Sequence, residues 1–166
     1  IKDKIMYSLF FFFFSVTLSL LLFVLFGILM AQMIGRWLDR LGTGYIVFVV
    51  AVPAAVYYLF IQMYITDIFK LPMLFDEYNP ISWILPLLSM ALAPTASYAM
   101  WMRRYMVDEL NKDYIKLARA KGVKERTLMF SHVLRNAFIP MAQYLPATIL
   151  FTIAGSIYIE SLYSIP

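Results

Sequence analysis

Four long apolar stretches dominate the hydrophobic and polar pattern of the chain: residues 7–35, 41–66, 81–102 and 137–159. None of them contains Asp, Glu, Lys or Arg. A bilayer core is crossed by roughly 20 apolar residues in helix, so the pattern predicts four membrane-spanning helices. A transmembrane β-barrel would show short alternating segments instead. The fold class expected is an all-α integral membrane protein, a polytopic helical bundle in a single domain over 1–166.

Composition supports the membrane reading. Of 166 residues, 63% are hydrophobic and 14% charged, whereas soluble domains carry about a quarter charged residues. There is no cysteine, which excludes disulfides, thiol nucleophiles and thiolate metal sites, and the lone His132 excludes a multi-histidine cluster. The first apolar run is too long for a signal peptide and lacks a small-residue cleavage site, so it reads as a retained span. The chain opens at Ile1 and stops at Pro166 inside what looks like an unfinished motif, so a piece of a longer protein is expected.

Charge sets the orientation. Residues 36–40 carry Arg36 and Arg40 against Asp39, and residues 67–80 carry Asp67, Asp76 and Glu77 against Lys70. From 103 to 135 there are nine Lys and Arg residues against Asp108, Glu109, Asp113 and Glu125. Beyond the last run Glu160 has no basic neighbour. Basic loops stay inside. Residues 36–40 and 103–136 are therefore placed in the cytoplasm, and 67–80 and both chain ends outside, with only the weakly basic start (IKDK) out of step.

Several span features carry structural expectations. Residues 7–35 as helix cover about 40 Å against a hydrocarbon core of about 30 Å, so tilt or protrusion is expected. The Phe10–Phe14 tract has no polar handle and reads as lipid-facing. Pro53, Pro86 and Pro94 fall inside spans, where proline removes a backbone bond and can kink a helix, as a packing kink or a hinge. Gly27, Ala31 and Gly35 recur every four residues, a spacing that permits close helix approach.

The cytoplasmic segment, 108–136, is out of character with its surroundings. Asp113 suits the N-cap of a two-turn helix over 114–121, and Gly122 suits the left-handed position after it. Lys121 complements the negative end of the helix dipole. Tyr114, Leu117, Ala118 and Lys121 share a face. A helix of about 12 Å is marginal alone, so packing, expected from a partner chain, must hold it. After Gly122, Val123, Leu128, Phe130, Val133, Leu134 and Ala137 interleave with Lys124, Glu125, Arg126 and Arg135. That pattern predicts an amphipathic helix at the membrane face, leading into a span that Pro140 starts. The residues alone leave three readings open: a docking element for a cytosolic partner, a polybasic patch on anionic lipid, or a loop that fixes topology.

The stretch RRYMVDELNKDYIKLARAKGVKERTLMFSHVLRNAFIP resembles the cytoplasmic signature of ABC-importer permeases, closest to the oligopeptide, dipeptide and nickel permease family. GILMAQMIGRWLDR, VVAVPAAV, ALAPTASYAMWMRR and IYIESLYSIP resemble it too, so the likeness covers nearly the whole chain. Aligned on Gly122, Lys116 stands at the signature glutamate and Leu117 at its first alanine, while Ala118 matches. His132-Val133-Leu134-Arg135 replaces the distal element, departures typical of the peptide subgroup.

The resemblance implies a type I ABC-importer permease subunit carrying di- or oligopeptides across a bacterial or archaeal cytoplasmic membrane. Its implied coupling residues are Asp113, Tyr114, Ala118, Arg119, Ala120, Lys121, Gly122, Glu125 and Arg126. Implied partners are two ATPase subunits, a second homologous permease, an external solute-binding protein and the bilayer, with no nucleic acid. ATP and Mg would sit on the ATPase subunits, since this chain has no GxxxxGK[ST] loop, no cofactor, no metal and no catalytic residue. Ser89, Thr95, Ser97, Gln143 and Thr148 are candidates to line the path. Glu160 reads as a solvated carboxylate, His132 as structural, and Arg103 and Arg104 as interfacial anchors. A secondary, ion-coupled transporter is the alternative, disfavoured because the four runs lack ionisable residues of the charged kind. A non-transporting membrane scaffold is another.

Overall fold

The computed structural model describes residues 2–165, apart from the side chains of 2–5, 24, 148 and 151–155. All regular structure among the described residues is helical. Helix α1 (Lys2–Gln32) is followed by α2 (Trp37–Ala51) and α3 (Ala54–Phe69), the last passing through a π-helical turn at Ile61–Ile65. A 3-10 turn at Pro80–Trp83 opens α4 (Ile84–Leu110), and α5 (Asp113–Ala120) follows at once. A single turn at Glu125–Thr127 and a π-helical stretch, Leu128–Leu134, lead into α6 (Arg135–Tyr163).

Helix α4 is the central post, packed chiefly against α1, then α6 and α2. Where α1 crosses α4, a Cβ built on Gly27 would lie 2.8 Å from Cβ of Met102. Only a missing side chain allows that approach. Ala31, one turn on, is buried, but Gly35 is used differently: its φ of +75° turns the chain out of α1. The Phe tract divides between two environments. Phe10, Phe13 and Phe14 are exposed as expected, whereas Phe11 and Phe12 are buried. Phe11 meets Phe75 edge-on at 5.3 Å and lies 5.8 Å from Trp83, so this part of the tract builds the core.

The expected second span, 41–66, is not one rod. Helices α2 and α3 meet at 111° across Val52 and Pro53, both extended (ψ 130° and 132°). Proline pushes its predecessor out of the helical region and supplies no N–H to continue the ladder, so the break falls where both effects coincide. Neither arm, at about 22 and 24 Å, matches a 30 Å core alone. Among the described residues, the helix over Pro80–Leu110 and α1 are each long and apolar enough to cross a membrane, and the bent pair makes a third such element if it counts as one span. Helix α6 has 29 residues.

The other prolines act mildly. Pro86 occupies the first turn of α4, where the N–H would be unpaired in any case. Pro94 lies inside α4, and Pro140 and Pro146 inside α6. Helix α6 therefore does not begin at Pro140; helical backbone runs unbroken into it from Leu128.

The ends of the bundle separate by charge, as the loop pattern predicts. At one end Ser8 donates to Glu160 at 2.9 Å, the Tyr7 hydroxyl reaches Glu77 at 3.2 Å, and the Phe75 N–H bonds the Tyr163 carbonyl at 2.9 Å. Gln62, buried on α3, donates to the carbonyls of Leu162 (2.9 Å) and Met73 (3.3 Å), which ties that end together. Glu160 is thus a half-buried acceptor within α6 and not a solvated loop carboxylate, because the α1 terminus packs over it. At the opposite end lie Arg36–Arg40 and the segment after Arg103.

Candidate functional site: the segment between α4 and α6

The segment joining α4 to α6 is a rigid elbow built from its own residues. Lys112, with extended backbone (ψ 147°), occupies the N-cap of α5 and makes no side-chain cap. Asp113 is the first helical residue, not the cap: its carboxylate pairs with Lys116 at 2.8 Å and lies where the helix dipole favours negative charge. The helix stops one residue sooner than expected, at Ala120. Gly122 has φ +79°, its N–H bonds the Arg119 carbonyl at 2.9 Å, and the Val123 N–H bonds the Ala118 carbonyl at 3.1 Å. This paired arrangement satisfies two orphan carbonyls at the helix end.

Ile115 anchors the helix. It is fully buried, in one cluster with Met106, Leu128 and Val133, while Ala118 and Val123 pack half-buried against that cluster. Burying an isoleucine contributes about 2 kcal/mol, which a two-turn helix cannot obtain from its own bonds. The expected requirement for a partner chain to hold this helix therefore falls away, because the chain's own π-helical stretch supplies the contact. The apolar face also differs from the expected one: Ile115 and Ala118 point inward, while Tyr114 and Leu117 are exposed.

Two side chains lock the flanks. The Tyr114 hydroxyl donates to Glu109 at 2.5 Å and accepts from the Asn136 amide at 2.8 Å, joining the last turn of α4 to the first turn of α6. Burial, helped by the neighbouring Glu109 carboxylate, raises the Tyr114 pKa, so the hydroxyl keeps its proton across the physiological range. On the other flank Arg119 grips Glu125 with two bonds, Nη2–Oε1 at 2.6 Å and Nε–Oε2 at 3.1 Å. That bidentate bond holds the Glu125 carboxyl below the usual carboxylate range.

Of the nine expected coupling residues, Asp113, Tyr114, Arg119 and Glu125 are thus committed to contacts inside the segment. Ala120, Lys121, Gly122 and Arg126 are exposed, and Ala118 is half-buried. Sequence reasoning missed Ile115 and Asn136. Ile115 was discoverable, being the one β-branched residue in the helix; Asn136 carries no such signal. His132 is exposed on the π-helical stretch, and no group of three or more potential metal ligands occurs among the described residues.

The helix ends beside the segment are joined by Asp39 and Arg103. Asp39 is 4% exposed, accepts the Gly35 N–H at 2.9 Å, and takes Nε and Nη2 of Arg103 at 2.5 and 2.8 Å. The bond to Arg103 first, and the Gly35 N–H with it, hold its carboxyl below the usual range. Arg103, itself half-buried, is accordingly the partner of a buried carboxylate and not merely an interfacial anchor. Of the path candidates, Ser89 is buried and bonded to the Tyr163 hydroxyl at 2.9 Å, and Thr95 is buried and donates to the Ala91 carbonyl. Ser97 is half-buried and Gln143 exposed; the Thr148 side chain lies outside the described residues.

Known proteins bear on this arrangement. The oligopeptide transport system permease protein AmiC of Streptococcus pneumoniae is 32% identical over 143 residues, which cover 84% of this chain and 28% of AmiC. The glutathione transport system permease protein GsiC of Escherichia coli K12 is 36% identical over 144 residues, 84% of this chain and 46% of GsiC. GsiC of Salmonella typhimurium matches to the same extent. The chain thus spans less than half the length of these relatives. The profile of the family described as binding-protein-dependent transport system inner membrane component matches residues 23–166. With most of its length matched, α5 and its locked flanks included, the chain belongs to the binding-protein-dependent transport system inner membrane components.

Proposed function

We propose that the chain is part of the membrane permease of an ATP-driven importer of peptides, with α5 as the contact through which a cytosolic ATPase moves the spans. One observation carries this reading. Helix α5 is fixed to α4 through Tyr114–Glu109 and to α6 through Tyr114–Asn136, yet leaves Leu117 56% exposed. A short helix with an apolar knob outward and both neighbours bonded behind it transmits a push as a rigid body. Lipid attraction or topology alone would need neither the knob nor the locks.

The rest of the assembly follows from this reading and from the family. Two ATPase subunits would bind ATP and Mg, a second permease subunit would complete the path, and a solute-binding protein would deliver cargo at the end carrying Asp76, Glu77 and Glu160. This chain would then be a non-catalytic subunit in a bacterial inner membrane, one permease domain with coupling segment 108–136. Oligopeptide and glutathione appear in the relatives' names, and both are peptides, which supports a peptide cargo. Nucleotide-driven closure would bias the spans between two states, as ligand-biased equilibria require.

The test places a photo-cross-linking residue at Leu117 in the full-length protein, in native membranes with its co-expressed partners. An adduct with a nucleotide-binding subunit, its yield changing with ATP, is expected. Adducts with lipid alone overturn the reading.

A further inference from the structure

A groove of about 360 Å³ lies between α2 and α4 at the basic end of the bundle. Its apolar wall includes Ile46 and Val47 of α2 and Met100 of α4, and its rim carries Arg103, Arg104 and Asp108. Arg103 is occupied by Asp39. Arg104 is exposed, stands 5.5 Å over the Trp101 ring, and pairs with no carboxylate among the described residues. Asp108, one turn further along the same face, is exposed and likewise unpaired among the described residues. Arginine preceding an acid at this spacing is the poorer order for a helical ion pair, which leaves both charges open.

Depth decides what these charges fit. Helix α4 leaves the membrane toward its C-terminal end, so the groove presents, in order, apolar wall, guanidinium, then carboxylate, with about 6 Å of rise between the two charges. A phospholipid whose phosphate is linked by two carbons to an ammonium presents the complementary order: acyl chain, phosphate, ammonium. We propose that this groove is a binding site for such an aminophospholipid of the cytoplasmic leaflet, its phosphate on Arg104 and its ammonium on Asp108. A glycerol headgroup supplies the phosphate but leaves the carboxylate without a cation. The inference rests on α4 crossing the membrane and is independent of what the protein transports.

The experiment purifies the full-length protein with its partners from equal amounts of phosphatidylethanolamine and phosphatidylglycerol, and counts retained lipids by native mass spectrometry. Wild type should retain the ethanolamine lipid preferentially. Asp108→Asn should lower that preference about threefold, and Arg104→Gln should lower retention of both lipids about threefold, the scale of one solvent-accessible ion pair. Asp67→Asn, at the opposite end, should match wild type. Equal retention of the two lipids by wild type overturns the proposal, as does either rim variant behaving like wild type. Cross-linking of Val47→Cys to a polypeptide also overturns it, because the groove would then be covered by protein.

Discussion

Asp39 and Arg103, 64 residues apart in sequence, meet through two N–H···O bonds that fasten the start of α2 to α4 at the basic end of the bundle. The pair is asymmetric: the Asp39 side chain is 6% exposed and that of Arg103 31%. The carboxylate also keeps the Gly35 N–H, so the turn between α1 and α2 is fixed by the same group. The turn after α1, the start of α2 and α4 therefore converge on one carboxylate, with Arg103 seven residues before α4 ends at Leu110.

Removing that carboxylate leaves a half-buried guanidinium and an unsatisfied turn amide. Asp39→Ala should cost about 2 kcal/mol, less than a fully buried pair because water still reaches Arg103. The double variant Asp39→Ala/Arg103→Ala should cost less than the two single losses combined, and thermal unfolding in detergent measures all three. The pH dependence has a definite sign. The folded pKa of Asp39 lies below its ordinary 3.8, so its contribution is complete above that value and lost as pH falls through the folded one. Stability owed to this pair should be flat from about pH 5 to 8 and decline only below about pH 4.

Gly27 tests the crossing of α1 and α4. An added Cβ would lie 2.8 Å from Cβ and 2.9 Å from Cγ of Met102, atoms near the backbone of a fully buried side chain that cannot swing away. Gly27→Ala should therefore destabilise by about 1–3 kcal/mol, as overpacking does. Gly44, inside α2 with nothing within 4 Å of its built Cβ, is the control. Gly44→Ala should stabilise by about 0.5–1 kcal/mol through reduced unfolded-state freedom. A melting temperature that falls for the first variant and rises for the second distinguishes close approach from a general effect of glycine.

The sequence made the helical class, the charge-segregated ends and the capped segment before Gly122 legible, because each follows from strong local signals: apolar run length, Lys and Arg placement, and a residue that tolerates positive φ. The 111° break at Pro53 was only half legible. Proline marks the place, but the angle depends on what α2 and α3 pack against. The bonds from Asp39 to Arg103, Tyr114 to Asn136 and Glu160 to Ser8 were not legible at all, since they join residues 22 to 152 positions apart. Long-range polar bonds leave no periodic trace. Arg119 and Glu125 stand only six residues apart, but they pair across the helix end at Gly122, where helical spacing gives no guide.

Gly122 isolates the cap of α5 from its packing. Its φ is +79° and a built Cβ would meet nothing within 4 Å, so any substitution acts through backbone strain alone. Gly122→Ala should cost about 1 kcal/mol, Gly122→Val more, and Gly122→Asn least, because asparagine visits the left-handed region most readily. The strain falls on the two bonds that close the helix, from Gly122 to Arg119 and from Val123 to Ala118. About 1 kcal/mol corresponds to roughly fivefold faster amide exchange at those N–H groups. Ile115 remains buried, so the melting temperature of the bundle should barely move. In the reconstituted assembly, transport per ATP hydrolysed should fall in the order Asn, Ala, Val. If Gly122→Val frees the two amides while transport per ATP stays at the wild-type level, the stiffness of this helix end plays no part in coupling.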